Sequence, residues 1–172
     1  MSEQGKSSFM DEALFNSLYE AYATDVLRVS YYYLGNRAQA EDVTQDVFLK
    51  LFKTNPALEQ GREKAWLLKV ALNRCRDLWR GAWVKRVVLG SAALELTPSG
   101  DELEERVEKQ ELMQAINKLP PAFKEAILLF YYQNLGISEI AKLLDLPEGT
   151  ISSRLSRGRK KLEEILKGSD AQ

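Results

Sequence analysis

The segment from Ile137 to Leu155 constrains the fold most tightly, because it has the pattern of two short helices separated by a turn. Ile140 and Leu143 are spaced for the inner face of a first helix, and Asp145-Leu146-Pro147 supplies the break. Pro147 suits the opening of the second helix, where a missing N–H leaves no hydrogen bond unmade. The pattern predicts a helix-turn-helix.

The second helix of this pair separates apolar from basic residues when successive positions are rotated by about 100°. Its apolar stripe would pack inward, and Gly158 would allow a close helix approach. An ordinary helical hairpin with a charged outer face is the alternative reading. The predicted buried stripe, within about 60° on the helical wheel, consists of Ile151, Leu155, Gly158 and Leu162.

The outer side of the same helix is hydroxyl-rich and basic. Such a surface suits a recognition helix in the DNA major groove, where Ser and Arg hydrogen-bond base edges and flanking cations contact phosphates. The residues predicted on this side are Ser153, Ser156, Arg157 and Lys160, with Arg154, Arg159 and Lys161 on the flanks.

Apolar residues recur at intervals of three and four through the rest of the chain, which predicts an all-α protein. The segment 83–108, with its Gly, Pro and Ser followed by acids, is predicted to be a flexible linker between domains at 9–82 and 109–168. Helices are expected over residues 9–34 (single or kinked), 37–53, 62–80, 109–117, 122–134, 137–144 and 147–167.

The net charge of −1 conceals a strong separation of charge along the chain. Residues 62–86 hold eight bases and two acids, and residues 154–161 hold five bases and no acid. Residues 95–111, between them, hold seven acids and two bases. Basic patches of this kind attract phosphate backbones, although either patch taken alone could be a solvated helix face.

Two N-terminal helices carry candidate binding residues. Helix 37–53 exposes acids and an amide opposite its apolar stripe. These polar residues are explained equally well by simple solvation near the helix start, where the helix dipole favours acids, and by docking on a basic partner. In helix 62–80, Trp66 and Trp79 lie among six bases, a mixture that suits single-stranded nucleic acid. Trp66 is expected to be core, with Asn73 and the arginines making the contacts.

The composition excludes several classes of catalytic and metal site. With no histidine, neither a Ser-His-Asp nor a Cys-His arrangement can form, and Cys75 alone makes no disulfide or thiolate cluster. We therefore predict a non-enzyme without cofactor or metal, with Cys75 packed in a helix. The apolar run Ala126–Tyr132 is too short to span a membrane and Met1–Ser8 is polar, which predicts a cytoplasmic protein.

Three stretches together resemble the extracytoplasmic-function sigma factors, small two-domain members of the sigma-70 family. Residues 40–48, Ala-Glu-Asp-Val-Thr-Gln-Asp-Val-Phe, look like region 2.2. Residues 66–77, from Trp66 to Asp77, look like regions 2.3 and 2.4. Leu119-Pro120, Glu139-Ile140-Ala141 and residues 149–159 look like region 4. The match spans roughly residues 12–81 and 109–166.

The resemblance implies a protein that binds bacterial core RNA polymerase, through its β′ clamp and β flap, and promoter DNA. Region 2.2 would bind the clamp, regions 2.3 and 2.4 would capture an unpaired base of the −10 element, and region 4 would read the −35 duplex. Clamp binding is thereby assigned to Asp42, Gln45, Asp46 and Leu49. The −10 contacts are assigned to Lys69, Asn73, Arg74, Arg76 and Arg80, and the −35 contacts to Ser152, Ser153, Arg154, Ser156, Arg157, Arg159 and Lys160.

The resemblance also implies an anti-sigma factor as partner, since many family members are held inactive by one at the membrane; no small-molecule substrate is expected. Two departures exist: residues 57–61 lack the family's usual aromatic, and Gly136 replaces the usual Ser cap. Three other interpretations compete with this one. A stand-alone helix-turn-helix regulator should dimerise, and no dimerisation pattern is visible. The other two are an enzyme and an interaction scaffold, and a scaffold would leave both basic patches without a function.

Overall fold

The computed structural model describes residues 9–89 and 103–170, and over these ranges the chain forms helices and no strand. The predicted all-α class is confirmed. The helices are α1 (Glu12–Leu34), α2 (Arg37–Thr54), α3 (Glu63–Leu89), α4 (Leu103–Asn117), α5 (Pro121–Ile127), α6 (Ile137–Leu144) and α7 (Glu148–Asp170), and α5 continues into a π-helical turn, Leu128–Tyr132.

Two helices extend into residues 83–108, the segment that was predicted to be the linker. Helix α3 ends at Leu89 rather than at residue 80, and α4 begins at Leu103 rather than at residue 109. The expected end at residue 80 was wrong: Gly81, the next residue, lies within α3, because one glycine costs a helix only about 1 kcal/mol and does not terminate it. The centre of the predicted linker, residues 90–102, lies outside the described residues.

The first two helices begin and end at residues that satisfy free backbone groups. The Asp11 carboxylate accepts a hydrogen bond from the Leu14 N–H at the start of α1. Gly35 ends that helix in the left-handed region at φ 68°, and its N–H bonds to the Tyr31 carbonyl. The next residue, Asn36, caps α2 by accepting from the Gln39 N–H at 2.9 Å. Two residues therefore suffice to reverse the chain between α1 and α2.

Helices α1, α2 and α3 form the first unit of the molecule. Their apolar faces make one core, which orients the polar faces of α2 and α3 outward. Each helix contributes side chains at spacings of three and four, as the sequence pattern predicted. The fully buried members include Val26, Val29, Val43, Val47, Leu51, Leu67, Leu68, Ala71, Leu72 and Cys75.

The C-terminal helices form a second unit around α5, α6 and α7. Residues 128–132 do not follow the regular α-helix predicted over 122–134: the Gln133 N–H bonds to the Leu128 carbonyl, five residues back. Both Leu128 and Leu129 are fully buried. The local sequence is apolar on every side, so its periodicity could not distinguish the two helical forms.

The turn of the helix-turn-helix lies where the sequence predicted it. Helix α6 spans the expected residues, and Gly136 precedes it in an extended conformation without a side-chain cap. Asp145 ends α6 in the left-handed region at φ 56°, and the Leu146 N–H bonds to the Ala141 carbonyl at 2.9 Å. These bonds fix the start of α7 relative to α6.

Candidate nucleic-acid interface

The outer side of α7 presents most of its predicted DNA-facing residues to solvent. Ser152, Ser156 and Arg157 are exposed, whereas Ile151 and Leu155 are buried on the inner side. The remaining members of the predicted set differ in exposure: Ser153 and Arg154 are half-buried, and Arg159, Lys160 and Lys161 are exposed. Ser152, which helical phasing placed on the flank, is thus more accessible than Ser153.

The position of α7 depends on a close contact at Gly158. A Cβ atom at this residue would lie 3.2 Å from Ile127 Cγ1 and 3.3 Å from Phe123 Cβ. These separations are shorter than ordinary van der Waals contact, so the backbone of α7 rests directly on α5. The absence of a side chain here sets the distance at which the recognition helix is held.

Tyr131 contacts the predicted DNA-binding face and was not identified from the sequence. The Arg159 Nη1 atom donates a hydrogen bond of 2.9 Å to the Tyr131 hydroxyl. Tyr131, a residue of the π-helical turn, is 47% exposed. This bond orients one of the flanking cations predicted to meet phosphate.

Four of the five predicted −10 residues lie along one side of α3, and the fifth, Arg74, lies on the side that faces α2. Lys69, Asn73, Arg74 and Arg80 are exposed, while Arg76 is half-buried. The side-chain oxygen of Asn73 accepts a hydrogen bond of 2.7 Å from Arg76 Nη1. The residue assigned to base capture is therefore held by an arginine one turn further along the helix.

A second contact joins α3 to the predicted clamp-binding side of α2. The Arg74 Nε atom lies 3.1 Å from Asp46 Oδ2, and both side chains are about half exposed. Such a pair contributes about 0–1 kcal/mol to stability, so its role is mainly to orient the two groups. The other predicted clamp residues, Asp42, Gln45 and Leu49, are exposed on α2.

Arg76 makes its strongest contact with the second unit rather than with solvent. Its guanidinium forms an ion pair with the Glu125 carboxylate of α5, and the Glu125 residue is only 4% exposed. Burial raises the pKa of Glu125, and the bond to Arg76 acts in the opposite direction. Glu125 was not identified from the sequence, because nothing local distinguishes it from a solvated acid.

The neighbouring Lys124 is fully buried against the first unit. Its Nζ atom donates to the Tyr33 carbonyl at 3.1 Å and lies 4.8 Å from the centre of the Tyr33 ring. The Trp79 ring is on its other side, at 5.8 Å. Trp79 thus covers a buried cation, and Trp66, predicted to be core, is half-buried and packs against the core.

Cys75 lies beneath the exposed side of α3 and is fully buried in the core, as predicted. Burial raises the pKa of its thiol to about 12, so the group is protonated at neutral pH.

Among the described residues no group of acidic, Cys or His side chains could hold a metal ion. No helix in that part of the chain is long and apolar enough to cross a membrane.

Two family models match the chain, and together they include both basic faces. The model of Sigma-70 region 2 matches residues 18–84, which contain α2 and most of α3. The model of Sigma-70 region 4 matches residues 109–162, which contain the helix-turn-helix.

Individual proteins give the same result. The chain is 29% identical over 157 residues to the ECF RNA polymerase sigma factor SigE of Mycolicibacterium smegmatis, a match that covers 88% of this chain and 61% of SigE. It is 28% identical over 170 residues to SigW of Bacillus subtilis, covering 91% of each. The solved structure of the sigma factor RpoE with the anti-sigma factor NepR, from Bartonella quintana, superposes with a TM-score of 0.74 at 26% identity, covering 89% of this chain and 96% of RpoE.

Proposed function

We propose that this chain, which belongs to the sigma-70 family and resembles its extracytoplasmic-function members, is an alternative sigma factor that binds core RNA polymerase and directs it to promoters. The observation that carries the proposal is the presence of both region 2 and region 4, each with an exposed basic face. A stand-alone helix-turn-helix regulator would need only the second of these.

The exposed side of α2 is the proposed docking site for the β′ clamp. Asp42, Gln45 and Asp46 offer carboxylate and amide oxygens on successive turns, and Leu49 adds an apolar surface that is 51% exposed. A basic partner surface would pair with the oxygens and cover the leucine. Arg74 orients Asp46 for this contact.

An apolar groove on the second unit is the proposed site for the β flap. The groove lies between α4, the π-helical turn and the inner side of α7, and Arg159 and Lys167 flank it. A short amphipathic segment of a partner would bind there through its apolar side. Its apolar lining comprises Leu112, Ile116, Ile127, Tyr131, Tyr132, Leu162 and Leu166. Polymerase and DNA would then contact different sides of α7.

Promoter DNA would be read in two physical forms. The exposed strip of α7, with Ser152, Ser156 and Arg157, would enter the major groove of the −35 duplex. The side of α3 around Asn73 would capture an unstacked base of the −10 element. Contacts to that base and to the adjoining phosphates would offset the few kcal/mol that unstacking costs. The cations proposed beside Asn73 are Lys69, Arg74, Arg76 and Arg80.

We extend two further features of the family to this chain. Because the similar RpoE structure contains an anti-sigma factor, we propose a partner of that class for this protein as well. The chain would act without catalysing a reaction, in the bacterial cytoplasm where polymerase and promoter DNA are found. Binding energy alone accounts for each proposed step.

Run-off transcription from a promoter library tests the proposal. With a bacterial core polymerase, the protein is expected to produce discrete transcripts that are absent without it. The double variant Asp42→Ala, Gln45→Ala should abolish these transcripts because it removes the proposed clamp contacts. Glu41→Ala is the matched control, since Glu41 is an exposed acid of the same helix that pairs with Arg37.

The opposite result would favour a different function. If core polymerase is unaffected while the protein alone shifts duplex DNA in a gel, the chain is a stand-alone regulator and the clamp assignment is wrong. If Glu41→Ala abolishes the transcripts as fully as the double variant, the loss reflects charge or stability, and α2 is not a specific docking site.

A further inference from the structure

A pair of stacked aromatic rings lies at the end of the first unit where α1 begins and α2 ends. The rings of Phe9 and Phe52 are parallel to within 2°, with centroids 5.5 Å apart. Phe52 is half-buried and meets the ring of Phe15 edge-on, at 5.4 Å between centroids. Phe52 covers one face of Phe9, yet the Phe9 residue is still 50% exposed. The first unit therefore presents a large aromatic ring to solvent on an aromatic support.

The backbone next to Phe9 is anchored to the first unit. Met10 is only 4% exposed, and its N–H donates to the Phe52 carbonyl at 2.9 Å. The Asp11 carboxylate is engaged in capping α1. An exposed ring that is already held in one place loses little conformational freedom when a flat partner stacks on it.

The charge of α2 changes sign along the helix toward this ring pair. The proposed clamp-binding acids lie in its first half, whereas residues 47–54 contain Lys50 and Lys53, both exposed, and no acid. At about 100° per residue, Lys53 lies on the exposed side of α2 between Lys50 and Phe52. The surface beside the ring pair therefore attracts an anionic partner.

The same basic end of α2 adjoins the proposed base-capturing residue. Lys50 lines one cleft together with Asn73 and Arg74 of α3. An exposed surface thus continues from Asn73 over Lys50 and Lys53 to Phe9. Single-stranded DNA offers what such a surface would bind, because its phosphates pair with cations and each of its bases has a flat face that stacks on an aromatic ring.

We propose that Phe9, supported by Phe52, is a stacking platform for a second unpaired base of the promoter strand, and that Lys53 contacts the phosphate backbone between this base and the one at Asn73. This inference rests on the proposed function. The platform holds the strand without reading its sequence, since every base can stack on the ring.

The substitution Phe9→Leu tests the platform because it keeps an apolar side chain against Phe52 and removes the aromatic ring. Fluorescence anisotropy of the full-length protein is measured with labelled oligo(dT) and with an abasic deoxyribose-phosphate oligonucleotide of the same length. The variant should bind oligo(dT) about tenfold more weakly than the wild type, which is the loss expected for one stacked base. Binding of the abasic oligonucleotide should not change.

Three further variants separate stacking from charge and from folding. Phe9→Tyr keeps the ring and should bind both oligonucleotides as the wild type does. Leu14→Ala removes another apolar side chain near the start of α1, one that is 49% exposed, and should alter neither affinity. Lys53→Gln should weaken both oligonucleotides alike, and less at high salt, because a phosphate contact does not need a base. Circular dichroism melting shows whether each variant remains folded.

Each outcome supports or overturns the inference. If Phe9→Leu binds oligo(dT) as tightly as the wild type, or loses both oligonucleotides equally, Phe9 is not a stacking platform. If Phe9→Leu instead weakens assembly with core polymerase and leaves DNA binding intact, the ring pair belongs to a protein interface. If the base-dependent loss is found while the wild type directs no promoter-specific transcription, the single-strand site stands and the proposed function fails.

Discussion

The two basic faces of this protein are built in different ways. On α3, Arg74 and Arg76 are already engaged by Asp46, Asn73 and Glu125. On α7, most of the corresponding residues project from the helix, while Arg159 is held by the Tyr131 hydroxyl. A duplex groove has a regular shape and accepts a rigid helix as a unit, whereas an unstacked base needs side chains that are already in position.

The supports beneath the two faces differ as well. Helix α3 packs against both α1 and α2, and Leu67, Leu68 and Leu72 on its inner side are fully buried. Helix α7 is positioned chiefly by α5, α6 and the close approach at Gly158. The proposed −10 face therefore lies on a broad apolar core, and the proposed −35 face lies on a helix that combines buried apolar residues, Ile151 and Leu155, with the close backbone approach at Gly158.

The largest expected effect comes from the core beneath α3. Leu72→Ala should lower the free energy of unfolding by about 2–5 kcal/mol, because it leaves a cavity where a fully buried side chain was. Urea denaturation followed by circular dichroism measures this. Leu49→Ala removes the same atoms from an exposed position and should cost far less. Equal losses in the two variants would show that Leu72 is not packed in the core beneath α3.

The contact at Gly158 should give the next largest effect. Gly158→Leu places a side chain where Ile127 and Phe123 already lie, and we expect a loss of about 1–3 kcal/mol from overpacking. Gly149→Leu is the matched control in the same helix, because a Cβ atom added there would meet no neighbouring group within 4 Å. If both variants melt at the same temperature, α7 does not depend on close approach to α5.

The difference between the two faces predicts that a variant of α7 weakens only duplex binding and a variant of α3 weakens only single-stranded binding. Arg157→Ala should weaken binding to the −35 duplex by about 1–3 kcal/mol if the guanidinium contacts a base, and should leave single-stranded binding unchanged. Arg74→Ala should show the reverse preference. Fluorescence anisotropy of the holoenzyme with each DNA form measures both. Equal losses on both DNA forms would mean that the two faces are not specialised.

The smallest expected effect concerns the cation of α7 that Tyr131 orients. Tyr131→Phe removes the hydroxyl that accepts from Arg159, and an exposed hydrogen bond of this kind is worth about 0.5–1 kcal/mol. Duplex binding should therefore weaken by a few-fold at most. The effect should disappear in an Arg159→Ala background, and a double-mutant cycle tests that coupling. Additive losses would show that the hydroxyl does not act through Arg159.

Local sequence signals predicted the helices wherever a turn or a cap had a clear chemical cause. Gly35 and Asn36 mark the joint between α1 and α2, and Pro147 follows the turn after α6, so these boundaries followed from backbone chemistry. The end of α3 did not, because Gly81 weakens a helix without ending it. The π-helical turn was also missed, since its residues are apolar on every side.

The polar contacts between the units were beyond the reach of sequence patterns. Arg76 and Glu125 are 49 residues apart, and each looks locally like a solvated charge. Arg76 was predicted to contact DNA, and the structure gives it a buried acid, Glu125, as its partner. Lys124 is flanked by ordinary helix-forming residues, and only the tertiary fold reveals that it is buried.

The two residues joined by the buried bond between Lys124 and Tyr33 are far apart along the chain, and this has a consequence for synthesis on the ribosome. The Tyr33 carbonyl and the Lys124 ammonium that binds it are 91 residues apart. At about 5–20 residues per second, the first three helices emerge seconds before α5, and N-terminal domains generally fold first. A nascent chain thus passes through an interval in which the proposed −10 face of α3 has been translated and Glu125, the partner of Arg76, has not.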